Sequence, residues 1–103
     1  STLSLLPNAP TIPQAVAGNA KITLTWNNST WNGGVYDITG YTIQQSLDNS
    51  SWNTVIADTG DLDPMHVITG LTNGTKYYFR VAAKNLKGVG AYSVATVAAT
   101  PSA

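Results

Sequence analysis

The sequence contains no cysteine and no glutamate. The absence of cysteine excludes a disulfide framework and any metal site built from thiolates. Charged residues make up only 10% of the chain, against about a quarter in a typical soluble domain. The surface must therefore consist mainly of Thr, Asn, Ser and Gln, and a chain rich in Thr and Asn but without Glu disfavours helices.

Basic and acidic residues are few and balanced. Five of each give a formal net charge of zero, and the chain has a single histidine. Nucleic-acid-binding domains usually carry a basic stripe and anionic membranes attract basic clusters, neither of which the sequence contains. No apolar run approaches the ~20 residues that span a bilayer. We therefore expect no nucleic-acid partner and no membrane insertion.

The chain of 103 residues has the length of one domain with its own core, and its hydrophobic fraction of 43% is ordinary for a globular protein. Because it begins at Ser1 and not at Met, we expect a part of a larger protein. We interpret residues 1–9 as a linker, 10–101 as the domain and 102–103 as a tail. A neutral, Thr- and Asn-rich surface favours an extracellular, cell-surface or virion setting, where neighbouring domains of the same polypeptide would be partners.

Turn-forming residues recur at short intervals and separate segments of strand length, which is typical of a sandwich or barrel. Ile22, Leu24 and Trp26 alternate with polar residues, the pattern of an antiparallel sheet with one buried side. Gly88 to Gly90 are interpreted as a turn, and the uneven Val94-x-x-Val97 spacing suggests a bulge. Seven strands in about a hundred residues predict an all-β, immunoglobulin-like sandwich. The predicted strands lie near residues 12–17, 21–26, 41–43, 52–56, 66–68, 77–83 and 92–99.

Several motifs match a known family in order along the chain. The run Gly-Leu-Thr-Asn-Gly-Thr-Lys-Tyr-Tyr-Phe-Arg-Val over residues 70–81 closely resembles a fibronectin type III domain, in the form found in bacteria and phages. The Ile22-x-Leu24-x-Trp26 strand and the flanking residues Pro10 and Pro101 resemble the same family. The resemblance covers residues 10–101 and implies a sandwich of a three-stranded and a four-stranded sheet.

The resemblance also implies roles for individual residues. Tyr77 would be the tyrosine-corner residue, whose buried hydroxyl hydrogen-bonds to backbone just upstream. Trp52 matches a strand position of the family and is interpreted as a packing residue. Residues 85–91 contain no Arg-Gly-Asp, so integrin binding is not implied. The residues expected to fill the core are Trp26, Tyr41, Leu71, Tyr77 and Phe79.

Few residues could carry chemistry. His66, the single histidine, shares a strand face with Ile68 and is expected at the edge of the core, bonded to backbone. Neither a nucleophile–base pair nor a His-rich metal site is therefore expected. Asp58, Asp61 and Asp63 lie close together and are a weak candidate for calcium, since calcium prefers clustered oxygen ligands. A solvated turn is the alternative, because Asp is a favoured turn residue. The sequence predicts no catalytic residue and no cofactor, and therefore no enzyme.

Two loop aromatics are the best candidates for recognition. If the family topology holds, Trp31 and Tyr36 share one end of the sandwich with Lys87 and with the segment from Asp58 to Pro64. Exposed loop aromatics are typical of surfaces that bind sugars or proteins. The alternative is that both aromatics fold back over the end of the core.

Four Asn-x-Ser/Thr triplets occur in the sequence, a pattern that is an N-glycosylation acceptor in eukaryotic secreted proteins. We interpret them as a consequence of the Asn- and Thr-rich composition, and Asn73-Gly74 as a turn. The triplets begin at Asn27, Asn28, Asn49 and Asn73.

The first hypothesis for function is a non-catalytic structural or spacer module in a larger multidomain extracellular or virion protein. The alternative is a carbohydrate- or protein-binding module that uses the loop end around Trp31, Tyr36 and Lys87. A third hypothesis is self-association through open sheet edges. An enzyme is the least favoured, because the residues that it would need are missing.

Overall fold

The computed structural model describes residues 6–27, 37–93 and 97–103, without the side chains of Ile12 and Val97. These ranges contain eight β-strands and no helix. No helix that could cross a membrane is therefore found within them. The strands are β1 (Thr11–Gly18), β2 (Lys21–Asn27), β3 (Ile38–Ser46), β4 (Asn53–Ile56), β5 (Met65–Ile68), β6 (Tyr77–Asn85), β7 (Gly88–Tyr92) and β8 (Val97–Ala99).

The strands form two antiparallel sheets, so the predicted all-β sandwich is confirmed. One sheet has the order β1-β2-β5, and the other has the order β4-β3-β6-β7 with β8 also paired to β6. The predicted four-stranded sheet is therefore five-stranded: β8 lies in the last predicted strand (92–99), and β7 forms ahead of it, sharing only Tyr92 with that prediction. These two strands pair with different halves of β6, as Ala82–Tyr92 and Phe79–Val97.

The predicted turn at Gly88 to Gly90 was wrong, because these residues lie in β7. The chain turns at Leu86 and Lys87 instead. The Asn85 side-chain oxygen accepts hydrogen bonds from the backbone N–H groups of Lys87 (2.9 Å) and Gly88 (3.3 Å). An Asx-type turn of this kind needs no glycine at its centre.

The core lies between the sheets and is built from the alternating faces of β2, β3 and β6. The Trp26 and Tyr41 rings meet edge to face, with centroids 5.0 Å apart. Burial raises the pKa of Tyr41. Leu71 is partly buried against this cluster. The buried hydrophobic residues are Ile22, Leu24, Trp26, Tyr41, Ile43, Ile68, Tyr77, Phe79, Val81, Ala82 and Ala83.

Two opposite ends of the sandwich can be distinguished. The first, which we call the hairpin end, consists of the Leu86–Lys87 turn, the segment 57–64 and the start of β3. The corner end comprises the Asn19–Ala20 turn, the segment 69–76 and residues 101–102. The molecule measures 48 × 25 × 20 Å along its principal axes.

Hydrogen bonds hold the corner end together. The Tyr77 hydroxyl accepts the backbone N–H of Thr72 at 3.0 Å, as the resemblance implied. The Asn73 side chain joins this segment to the β1–β2 turn: its oxygen accepts the N–H of Ala20 at 2.8 Å, and its Nδ2 donates to the Asn19 side-chain oxygen at 3.0 Å. Two segments that are distant in sequence are thereby fixed around one point.

The polypeptide approaches and leaves the sandwich at opposite ends. Pro7 is buried, and its carbonyl oxygen lies where a Cβ would stand if Gly90 carried a side chain. At the corner end, Ser102 N donates to the Gly18 carbonyl at 3.1 Å and Gly74 N donates to the Pro101 carbonyl at 2.9 Å. Both flanking segments are therefore attached to the body of the domain.

Candidate functional site

The hairpin end is held by backbone contacts between the segment 57–64 and the two sheets. Tyr41 and Thr59 exchange two hydrogen bonds: Thr59 N donates to the Tyr41 carbonyl at 2.9 Å, and Tyr41 N donates to Thr59 Oγ1 at 3.1 Å. Trp26 N donates to the Pro64 carbonyl at 3.0 Å. The segment therefore bridges from the five-stranded sheet to the three-stranded sheet.

Asp58 links this segment to β6. One carboxylate oxygen accepts the Gly60 N–H at 2.8 Å and the other lies 3.2 Å from the Lys84 ammonium. The Gly60 N–H, and next the Lys84 side chain, lower the pKa of Asp58. A side chain at Gly40 would overlap the same carboxylate. Because both charged groups remain partly exposed, the ion pair itself adds little stability.

The three aspartates of the predicted calcium candidate are used locally and do not converge. Asp58 is neutralised by Lys84, and Asp61 accepts the backbone N–H of Asp63 at 3.2 Å. Within the ranges described above, no three His or Asp side chains form a group that could hold a metal ion. The arrangement is that of successive Asx turns.

The predicted recognition surface is described only in part. Lys87 is exposed at the tip of the β6–β7 hairpin, next to Leu86, whose side chain is 79% exposed. Trp31 and Tyr36 fall in residues 28–36, outside the described residues. Their position beside Lys87 therefore stays a prediction.

An aromatic and cationic cluster on the outer face of the five-stranded sheet was missed by sequence reasoning. The Arg80 guanidinium lies between the rings of Trp52 and Tyr92, with its central carbon 4.4 and 4.5 Å from their centroids. Its Nε donates to the Gln44 side-chain oxygen at 2.8 Å, and Gln44 in turn donates to Thr54 at 3.2 Å. Trp52 packs as predicted, but against a cation on the outer face.

A cleft of about 390 Å³ opens between β4 and β5, at the lateral side where the two sheets separate. Its lining includes Gln45, Val55, Ile56, His66, Ile68 and Leu71, and no Asp, Lys or Arg. Gln45 Oε1 is buried there without a hydrogen-bond partner in the described part of the chain. His66 thus faces this cleft on the same side of β5 as Ile68.

The two-sheet topology, the Trp26–Tyr41 core pair and the Tyr77 hydrogen bond agree with the family that the sequence resembled. The family model for the fibronectin type III domain matches residues 8–99. The chain is a fibronectin type III domain. A solved structure of a fibronectin type III-like protein from Clostridium thermocellum superposes with a TM-score of 0.73 at 25% identity, covering 89% of this chain and 90% of that one.

Curated relatives of this fibronectin type III domain are much longer proteins. Chitinase D of Niallia circulans is 36% identical over 77 residues, which cover 75% of this chain and 13% of the relative. Amylopullulanase of Thermoanaerobacterium thermosulfurigenes is 32% identical over 80 residues, which cover 78% of this chain and 4% of the relative. The domain thus corresponds to an accessory module within multidomain polypeptides.

Proposed function

We propose that this fibronectin type III domain is a non-catalytic spacer in a larger extracellular protein. The observation that supports the proposal is the attachment of both flanking segments at opposite ends of a body 48 Å long. Pro7 packs against Gly90 at the hairpin end, and Ser102 is hydrogen-bonded to Gly18 at the corner end. A module attached in this way sets both the distance and the orientation of its neighbours.

Compared with a flexible linker, a folded spacer has less conformational freedom at its two ends, and this is its physical advantage. A Gly/Ser-rich linker samples end-to-end distances that scale with the square root of its length. A folded module with anchored ends keeps one distance. The few charges and zero net charge suit such a role, because they leave no strong field toward neighbouring domains.

A distance measurement between spin labels tests the proposal, since the chain has no native cysteine. We expect the double variant Asn8→Cys, Ser102→Cys to give one narrow distance distribution. The reference is Lys21→Cys, Asn27→Cys, which places labels at the two ends of β2. A distribution for the terminal pair much broader than for the β2 pair would contradict the spacer role.

A second candidate function is binding of carbohydrate or protein at the hairpin end, through Trp31, Tyr36 and Lys87. It is supported by the exposure of Lys87 and Leu86 at the hairpin tip and by the two relatives, whose names denote enzymes that act on polysaccharides. Exposed aromatics beside such a tip would stack on sugar rings or pack on a partner surface.

Titration with soluble chitin and starch oligosaccharides, followed by tryptophan fluorescence, tests the second function. We expect saturable quenching that is lost in Trp31→Ala and Tyr36→Ala, and retained in Trp52→Phe as the control. Acrylamide quenching that is equal in the parent chain and in Trp31→Phe would place Trp31 away from solvent and contradict this function.

A further inference from the structure

We propose that the open edge of β5 pairs with β5 of a second copy of this chain, in antiparallel orientation. β5 ends the three-stranded sheet, since the strand order is β1-β2-β5. Its register with β2 is regular over four residue pairs, from Ile22–Ile68 to Thr25–Met65. An edge strand of this kind presents unpaired backbone groups that can accept another strand.

The backbone groups that face the open edge follow from the ladder. Trp26 N donates to the Pro64 carbonyl. Trp26 and Pro64 lie one step beyond the Thr25–Met65 pair of the β2–β5 register, and they form a hydrogen-bonded pair. Hydrogen-bonded and non-hydrogen-bonded pairs alternate in an antiparallel ladder. His66 and Ile68 therefore bond to β2, whereas the N–H and C=O groups of Met65 and Val67 point away from it.

The other sheet edges carry features that hinder pairing. β1 contains Pro13 and a register shift between Thr11 and Gln14. β4 has a register shift at Ile43/Gln44 of its partner strand, and β8 lies beside β1. β7 is contacted by the N-terminal segment at Gly88 and Gly90. Proline, bulges and covering segments are the usual means of blocking an edge, and the described residues of β5 show none of them.

A second copy is the occupant that the edge itself favours. Residues 65–69 carry no Asp, Lys or Arg, and the chain has no net charge, so two copies meet without repulsion. A two-fold axis at Val67 places Val67 opposite the partner's Val67, and Met65 opposite the partner's Thr69. Met65 and Val67 are 50% and 40% exposed, and both would lose exposed apolar surface on pairing. Such a contact is isologous and closes at two copies.

The cleft beside β5 supplies an independent observation. An added strand would cover its mouth with the side chains that face inward, the partner's His66 among them. Among the described residues, Gln45 Oε1 has no hydrogen-bond partner in this cleft, and a buried acceptor left unpaired is destabilising. The imidazole of the partner's His66 carries an N–H donor in either protonation state, and can satisfy it.

The expected association is weak. A strand of four residues buries much less than the roughly 1,200 Å² of a stable interface, so we expect a dissociation constant between about 10 μM and 1 mM. Tethering of several copies in one polypeptide or on one surface would raise the effective concentration to about the millimolar range. The pairing then becomes populated.

Sedimentation of the whole chain up to about 1 mM tests the pairing. We expect concentration-dependent dimers for the parent chain and an association constant at least about tenfold lower for Val67→Pro, which removes an outward N–H without breaking the β2 ladder. Val67→Thr keeps the N–H and the shape of the side chain, and is expected to stay within about threefold of the parent. Circular dichroism verifies that each variant is folded.

A charge-pair experiment does not depend on the proline variant. Val67→Lys and Val67→Glu are each expected to be monomeric, because like charges then face each other across the axis. Mixing the two variants should restore a dimer that contains one of each. A parent chain that stays monomeric, a folded Val67→Pro that dimerises like the parent, or a Lys–Glu mixture that stays monomeric would each overturn the proposal. These outcomes leave the spin-label test of the spacer unaffected.

Discussion

At the scale of single residues, the fold depends on a few polar atoms placed where the backbone turns. The Tyr77 hydroxyl bonds to Thr72, and Asp58 bonds to Gly60. Each of these bonds satisfies a backbone N–H that the sheet ladders leave unpaired. Substituting such a residue therefore lowers the free energy of unfolding by the cost of one unpaired N–H, separately from any change in core packing.

Replacing Tyr77 by Phe tests the tyrosine corner. The ring stays in the core, but the Thr72 N–H loses its acceptor, so we expect the free energy of unfolding to fall by about 1–2 kcal/mol. The measurement is urea unfolding followed by tryptophan fluorescence. Tyr78→Phe, one position along and on the opposite face of β6, is the control and should stay within about 0.5 kcal/mol of the parent. Equal effects of the two substitutions would contradict the assigned role.

Asp58 is expected to make the free energy of unfolding depend on pH in the acidic range. Its pKa is lower in the folded chain than the ordinary 3.8. Its contribution to the free energy of unfolding is therefore complete above 3.8 and is lost as the pH falls through the folded pKa. Urea unfolding at about pH 6 and about pH 3 should show a smaller loss in Asp58→Asn than in the parent. Lys84→Met should lose nearly as much stability in acid as the parent, because the Gly60 N–H lowers the pKa of Asp58 more than the hydrogen bond with Lys84 does. An unchanged acid loss in Asp58→Asn would refute this.

At the scale of elements, cross-strand contacts on the outer face of the five-stranded sheet join three strands through one side chain. Arg80 of β6 touches Trp52 before β4, Tyr92 of β7 and Gln44 of β3. A planar guanidinium stacks on aromatic rings on both sides, and an ammonium cannot do so. The cluster thus ties the edge of this sheet to its centre.

Arg80→Lys keeps the charge and removes the stacking. We expect the free energy of unfolding to fall by about 1 kcal/mol, since exposed cation–π contacts contribute about 0.5–1 kcal/mol each. Denaturant unfolding at two salt concentrations measures it. Lys76→Met serves as the control, because the Lys76 ammonium lies over one ring of the described residues, 5.1 Å from the Tyr78 centroid. A stability of Arg80→Lys equal to that of the parent would show that stacking contributes nothing.

The sequence predicts an element correctly when the residue pattern that determines it lies within one segment of the chain. The alternation in β2 and β6 is local, so both strands and their buried faces were predicted correctly. The β6–β7 turn was misplaced because two glycines resemble a turn, whereas the bond that makes the turn comes from Asn85. The Arg80 cluster and the cleft at Gln45 depend on which strands are neighbours and in what register. That information is absent from any single segment.

At the scale of the whole molecule, the two flanking segments contact the sandwich at opposite ends. Gly90 is the residue on which the anchor at the hairpin end depends, because a Cβ there would overlap the Pro7 carbonyl. Because the overlapping atom belongs to the backbone, relieving the overlap would displace the N-terminal segment as a whole. The path of the N-terminal segment, and not only the body of the domain, is thus specified by sequence.

Gly90→Ala is expected to release the N-terminal segment. The label distance between residues 8 and 102 should broaden, and stability should fall by about 1–3 kcal/mol through overpacking. Gly18→Ala is the matched control: its Cβ would meet only the flexible Lys21 side chain, so the distribution should stay narrow. A narrow distribution in Gly90→Ala would show that Pro7 does not need this glycine.

The Asn73 side chain at the corner end has a consequence for how the protein can be produced. Asn73 begins an Asn-Gly-Thr triplet, and its Nδ2 is the atom to which a eukaryotic secretory pathway would attach a glycan. The same nitrogen donates to Asn19 in the folded domain. A yeast or mammalian host that modified this site before folding would place a bulky sugar between the two turns that Asn73 joins. Bacterial expression, or an Asn73 kept unmodified by Thr75→Ala, preserves the contact between these two turns.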